Sequence, residues 1–148
     1  MKHSAGIACL LAMSLLGCVA SEESRPLAAT SELLETYWRP AEVFGKPVVV
    51  HASTREPHVV LAREQSRMRG FTGCNSVSGA YTHDGQSLRF EKLLTTRRAC
   101  VAPESNELES AFTKALEATA SYRLVGETLE LRDGAGAMHM RLGARYLR

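Results

Sequence analysis

No stretch of this 148-residue chain carries a sustained excess of one charge, and no apolar run is long enough to cross a bilayer. Spanning needs about 20 consecutive apolar residues, and the longest candidate, Ala5 to Leu16, falls short. Lys and Arg number 18 against 16 Asp and Glu, for a formal net charge of +2, and the two signs are interspersed. Without a basic stripe and interleaved aromatics, no nucleic-acid partner is expected. The patterns that carry common site chemistry are missing too. There is no H-E-x-x-H or C-x-x-C spacing for a metal. There is no G-x-S-x-G elbow around Ser76 or Ser78. The Gly-rich segment 70–79 lacks the following Lys and helix that a phosphate cradle requires. No cofactor, no resident metal and no catalytic residue is therefore expected. His51 and His58 flank a Pro-containing loop, and His83 sits beside Asp84-Gly85. Met138 and Met140 beside His139 offer soft ligands for copper(I). Strand alternation instead turns both Met inward and His139 to the opposite face. A small-ligand or copper-responsive envelope protein is the alternative reading.

What is present begins at the N-terminus. Lys2 precedes the uncharged, Ala- and Leu-rich run to Leu16, which has the length of a secretory signal core. It ends in Leu15-Leu16-Gly17-Cys18, which resembles the lipobox of bacterial lipoproteins. The resemblance implies cleavage after residue 17 and lipid on Cys18, since a thioether carries the diacylglycerol and small Gly17 admits the peptidase. The competing reading is ordinary secretion, with cleavage after Ala20. Three acyl chains would hold the protein firmly, where one binds only marginally. In lipoproteins of the enteric type, Asp after the Cys favours retention in the inner membrane; Val19 stands here, which leans toward the outer one. Residues 18–32 are rich in Ser, Glu, Pro and Ala without periodicity and read as a flexible tether. The expectation is a periplasm-facing envelope lipoprotein, monomeric, whose domain spans residues 33–148.

Cysteine is scarce, at four residues. Cys9 leaves with the signal and Cys18 takes lipid, so Cys74 and Cys100 remain in an oxidising compartment. A structural disulfide is the expected use. Its loop of about 27 residues would contribute roughly 3–4 kcal/mol. The other reading is a redox or nucleophilic thiol pair, for which no local motif stands.

The rest of the chain alternates short extended segments with turns. Thr36 to Phe44 reads as a first strand, with Pro40 at an edge or bend. Gly45-Lys46-Pro47 reads as a turn, after which Val48–Val50 continues extended. His58–Ala62 and Arg67–Phe71 read as a pair across Glu64-Gln65-Ser66. Residues 70–79 read as turn-rich. Ala80–Thr82 and Leu88–Phe90 flank Asp84-Gly85, a strong hairpin signal. Leu93 to Pro103 reads as a loop. One helix follows, with Leu108, Ala111, Phe112, Ala115 and Leu116 on one face, Pro103 in the first turn and Glu104 at the positive dipole end. Ser121–Val125, Thr128–Arg132 and Met138–Leu147 complete a meander. The whole reads as α+β: a curved antiparallel sheet packed on a single helix.

Gly73-Cys74-Asn75, then Gly79-Ala80-Tyr81, then Leu88-Arg89-Phe90, then Thr95-Thr96-Arg97-Arg98-Ala99-Cys100, resemble the META domain of HslJ-type bacterial lipoproteins. An early Trp38, a helix with Phe112 and Leu116, and Thr128-Leu129-Glu130-Leu131 keep the same order. The resemblance implies a partly open, barrel-like sheet around one helix, similar to pilot lipoproteins of type III secretion. It implies a role in envelope stress or antibiotic tolerance, and no agreed catalytic residues. Gly73, Asn75, Gly79 and Thr96 are the motif positions. Arg98 stands where the family usually has Met, which puts an apolar contact there in doubt; Thr95, Thr96, Arg97 and Arg98 beside the disulfide form a candidate contact patch, with Arg97 and Arg98 its charges and a solvated loop the other reading. The expected partners are the membrane, through the lipid, and an envelope protein or apolar ligand.

Overall fold

The computed structural model describes residues 32–50, 55–100 and 103–146. The signal segment, Cys18 and the tether before residue 32 lie outside them. Nine strands and one helix follow in order: β1 Tyr37–Val43, β2 Lys46–Pro47, β3 His58–Ala62, β4 Arg67–Phe71, β5 Ser76–Asp84, β6 Ser87–Thr95, α1 Pro103–Ala118, β7 Ser121–Val125, β8 Thr128–Arg132 and β9 Met138–Arg145. A short 3₁₀ turn, Glu64–Ser66, joins β3 to β4.

Every pairing is antiparallel, and strands follow sequence order from β3 to β9. The last strand returns to the first: β9 pairs with β1 from Tyr37↔Arg145 to Val43↔Met140. The sheet is therefore ring-like. Two joints are thin, since β1 meets β3 at Trp38↔Val59 and β6 meets β7 at Ser87↔Ser121. The fold is α+β with a curved antiparallel sheet and one helix, as the sequence pattern indicates.

Alternation along the strands decides what faces inward. On β1, Trp38, Pro40 and Val43 are buried while Tyr37, Arg39 and Glu42 point outward. Leu129 and Leu131 of β8 and Met140 and Leu142 of β9 meet them inside. The helix contributes Phe112, Ala115 and Leu116, all fully buried. Trp38 is anchored by its indole N–H, which donates to the Leu33 carbonyl at 2.9 Å.

Four local expectations are corrected. The first turn is Phe44-Gly45, with φ of 47° and 75°, and Lys46-Pro47 already pairs back on β1. The Gly-rich segment confines its turn to residues 72–75, and Ser76 opens a nine-residue strand. The supposed loop from Leu93 begins only after Thr95, because β6 runs that far. His139 does not face away from the core. A bulge lets Arg132 pair with Met138 and Leu131 with Met140, so the extra residue breaks the alternation and both His139 and Met140 are buried.

Candidate functional site

The motif residues converge where β5 begins, β6 ends and α1 passes. Thr72 closes the turn into β5: its backbone N–H donates to the Asn75 carbonyl at 2.8 Å, and its hydroxyl accepts from the Asn75 N–H at 3.1 Å. Gly73 lies in this turn with φ 102°, a backbone that L side chains rarely adopt, and a Cβ there would also press on Leu108 of the helix at 3.3 Å. The turn delivers Cys74 to Cys100, with 5.7 Å between their Cα atoms, and the two are joined by a disulfide.

Asn75 is 2 % exposed, and its side-chain amide does the work of a missing strand. Its Oδ1 accepts from the Arg98 backbone N–H and from the Thr96 hydroxyl, each at 2.8 Å. Its Nδ2 donates to the Arg98 carbonyl at 3.1 Å and to Glu109 Oε2 at 2.7 Å. Thr96 reciprocates by accepting from the Ser76 N–H at 3.1 Å. Residues 96–98, which have no regular structure of their own, are thereby held against β5 and α1. Gly79 serves the same end by close approach. It sits at the bulge between β5 and β6, where a Cβ would lie 2.8 Å from the Glu91 carbonyl oxygen. Sequence reasoning missed Glu109, the helix carboxylate that completes the Asn75 network; it lies on the helix between the apolar positions and gives no local signal.

Two recesses flank this clamp. One, of about 360 Å³, runs between β1–β2 and the first turns of α1. Val43, Val48, Val49, Pro57, Leu108 and Ala111 make its walls apolar, with Lys46, Arg55, Glu104 and Glu107 among its other lining residues. Val49 in that lining stands 65 % exposed, a large apolar group left in water. The second recess is lined by Asn75, Arg97, Arg98, Glu109 and Lys114. Arg97 and Arg98 are both exposed there, with only the Arg98 backbone fixed.

The remaining candidate ligands are dispersed. His58 stacks on Tyr37 with ring centroids 4.3 Å apart. His83 Nε2 meets the Tyr122 hydroxyl at 3.1 Å. His139 Nε2 lies 3.2 Å from the Thr119 hydroxyl, which itself donates to the Ala115 carbonyl at 2.8 Å. That hydroxyl must therefore accept, so the imidazole carries a proton on Nε2. Its Nδ1 is buried with no partner among the described residues, and burial holds the His139 pKa below the ordinary histidine value. His51 lies outside the described residues. Among the described residues, Cys74, Cys100 and Glu109 are the one group of three donors close enough to share an ion, and its two sulfurs are bonded to each other.

A ring-like antiparallel sheet, a buried helix face and an asparagine-and-disulfide clamp define a small single-helix α+β domain. The META domain model matches residues 31–146, and the chain belongs to the META domain family. It is similar to heat shock protein HslJ of Escherichia coli strain K12, with 31 % identity over 128 residues covering 84 % of this chain and 86 % of that protein. Two proteins solved by NMR share the fold. One, from Burkholderia xenovorans, has a TM-score of 0.62 at 22 % identity and covers 78 % of this chain and 85 % of its own. The other has a TM-score of 0.58 at 24 % identity and covers 73 % of this chain and 87 % of its own.

Proposed function

We propose that this chain is a non-catalytic envelope lipoprotein, anchored through Cys18, whose META domain binds an apolar partner in the recess between β1–β2 and α1. The observation that carries the reading is that recess: about 360 Å³ of mostly apolar wall, with Gly73, next to the disulfide-bonded Cys74, in its lining. Ligand sites are of this kind, apolar concavities with few polar groups on a preformed frame. The occupant is a small apolar ligand or an apolar segment of an envelope protein. Arg97 and Arg98 line a separate recess on the opposite face of α1 and supply a second contact patch there. The lipobox-like Leu15-Leu16-Gly17-Cys18 supports the anchor and the periplasm-facing position, and Val19 after the Cys supports the outer membrane. The heat-shock name of the E. coli relative supports a role in stress, and the resemblance of the motif residues adds the envelope or antibiotic tolerance as its setting.

The test uses the full chain expressed in a bacterial host. Mass spectrometry of the purified product reports lipid on Cys18 and the oxidation of Cys74 and Cys100. Photo-crosslinking residues at Val49 and Leu108 should capture a partner that the same residue at exposed Arg89 does not. Equal capture from all three positions would remove the recess from the account. Equal recovery of partners by Arg97→Ala/Arg98→Ala protein would remove the arginines.

A further inference from the structure

The outer face of β1, β3 and β4 gathers cations that the sequence keeps apart. On β1, Tyr37 and Arg39 point outward, and β9 places Arg145 opposite Tyr37. On the next strands, His58 pairs with Phe71, and Val60 with Arg69. Tyr37 stacks on His58 at 4.3 Å with an interplanar angle of 20°, and the Arg55 guanidinium lies 4.7 Å from the centre of the Phe71 ring. Four arginines, Arg39, Arg55, Arg69 and Arg145, thus lie around the stacked Tyr37–His58 pair and Phe71. One carboxylate answers them: Glu56 Oε2 lies 3.2 Å from Arg39 and 3.5 Å from Arg145. Among the described residues, Arg55 and Arg69 form no ion pair. The adjoining face is built differently. There Arg141 pairs with Glu42 at 2.7 Å and Arg132 with Glu130 at 2.6 Å, so its charge cancels locally.

We propose that this face docks the domain on an anionic lipid surface, reading phosphate headgroups through Arg55, Arg69 and Arg145. The inference rests on the lipid-anchor reading for one point only, the nearness of a bilayer. Fifteen residues run from Cys18 to Glu32, a covalent reach of at most about 50 Å. That chain enters the fold immediately before β1, which carries Tyr37 and Arg39. A bilayer within that reach can be met by the strand that follows the paired Glu32 and Arg63 at the entry point, and the outward face of that strand and its neighbours is cationic. Arginine near an anionic leaflet is attracted within about a Debye length. Cation–π attraction holds the Arg55 guanidinium over the Phe71 ring.

Trp38, the one tryptophan in the chain, lies on the inner side of β1 and serves as the probe. The full chain is mixed with vesicles carrying a dansyl-labelled phospholipid, made either of phosphatidylcholine alone or with one-third phosphatidylglycerol. Energy transfer from Trp38 should be at least about twofold greater on the anionic vesicles at low salt, and the difference should vanish near 1 M salt, where the Debye length is about 3 Å. Arg55→Ser/Arg69→Ser/Arg145→Ser protein, with its fold checked by circular dichroism, should show equal transfer on both. Equal transfer for the unaltered chain overturns the proposal and leaves the face to an acidic protein. Transfer that millimolar inorganic phosphate abolishes also overturns it, since the site would then take a free anion. The mass of Cys18 is read separately. An unlipidated product that still prefers anionic vesicles refutes the anchor and keeps the docking face.

Discussion

Removing the Asn75 side chain would strand several groups at once. The Arg98 N–H and carbonyl, the Thr96 hydroxyl and the Glu109 carboxylate all use that one amide. A buried group left unsatisfied costs about 1–3 kcal/mol, and water can reach only the outer part of this cluster. Asn75→Ala should therefore lower unfolding stability by about 2–4 kcal/mol, read by urea denaturation. Asn75→Asp should be at least as harmful at neutral pH, because it exchanges a donor for a charge facing Glu109 Oε2; a milder effect than Ala would mean that the new carboxylate does not face Glu109. His139 makes a second prediction at this scale. Its folded pKa is lowered by burial, so the folded chain refuses a proton that the unfolded chain accepts. Stability should hold above the unfolded value of about 6.5 and fall as pH drops from there toward the lowered folded value, then level off. Half-buried His58 shifts in the same direction, through burial first and then against Arg55 and Arg69. His139→Gln, whose amide can still donate to Thr119, should flatten part of this slope and His58→Gln a further part, measured by denaturation across pH 5 to 7.5. An unchanged slope in both variants would place the proton uptake elsewhere.

At the scale of elements, the disulfide and the Asn75 network hold the same loop by independent means. Cys74→Ala/Cys100→Ala should cost about 3–4 kcal/mol by the chain-entropy account. The fold should survive, because Thr96 and Arg98 remain hydrogen-bonded to Asn75; loss of the near-ultraviolet signal of Trp38 would contradict this. The elements that depend on local pattern were legible from residue order. The apolar spacing of Leu108, Phe112 and Leu116 marked the helix, and alternation marked β8. Asp84-Gly85 marked the β5–β6 hairpin within one residue of the turn at Gly85-Gln86. What escaped was set by pairing partners. Ser76–Gly79 reads as a turn until β4 and β6 lie on either side, and His139 alternates outward until the β8 register forces a bulge. The Cys74 and Cys100 pair was foreseeable from cysteine count, whereas Glu109 needed the helix to be placed first. The basic outer face could not be read at all, because its arginines come from β1, β4, β9 and the segment before β3.

For the whole molecule, the decisive pairing is the one with the greatest sequence distance. Tyr37↔Arg145 and Val43↔Met140 close the ring, and Glu42 meets Arg141 across the joint at 2.7 Å. Trp38 lies at the one register point where β1 meets β3, and it also faces Ala144 of β9. It thus fills the interior where three strands meet, with no exposed surface. Truncating a buried aromatic of this size typically costs 3–5 kcal/mol, and here it also removes the indole N–H that fixes Leu33. Trp38→Phe should keep most of the volume and lose the hydrogen bond, at a cost of about 1–2 kcal/mol. Trp38→Ala should approach the limit of what a domain with 5–15 kcal/mol of total stability can bear. The kinetics should carry the same signature. Closing β1 on β9 is a long-range event whose entropy must be met before its contacts form, so refolding should fall in the millisecond-to-second range of non-local β folds. Arg141→Ala, at the joint, should speed unfolding more than it slows refolding if β9 docks last. Stopped-flow Trp38 fluorescence measures both limbs; a refolding rate that drops in proportion to the lost stability would instead place the β1–β9 joint in the folding nucleus.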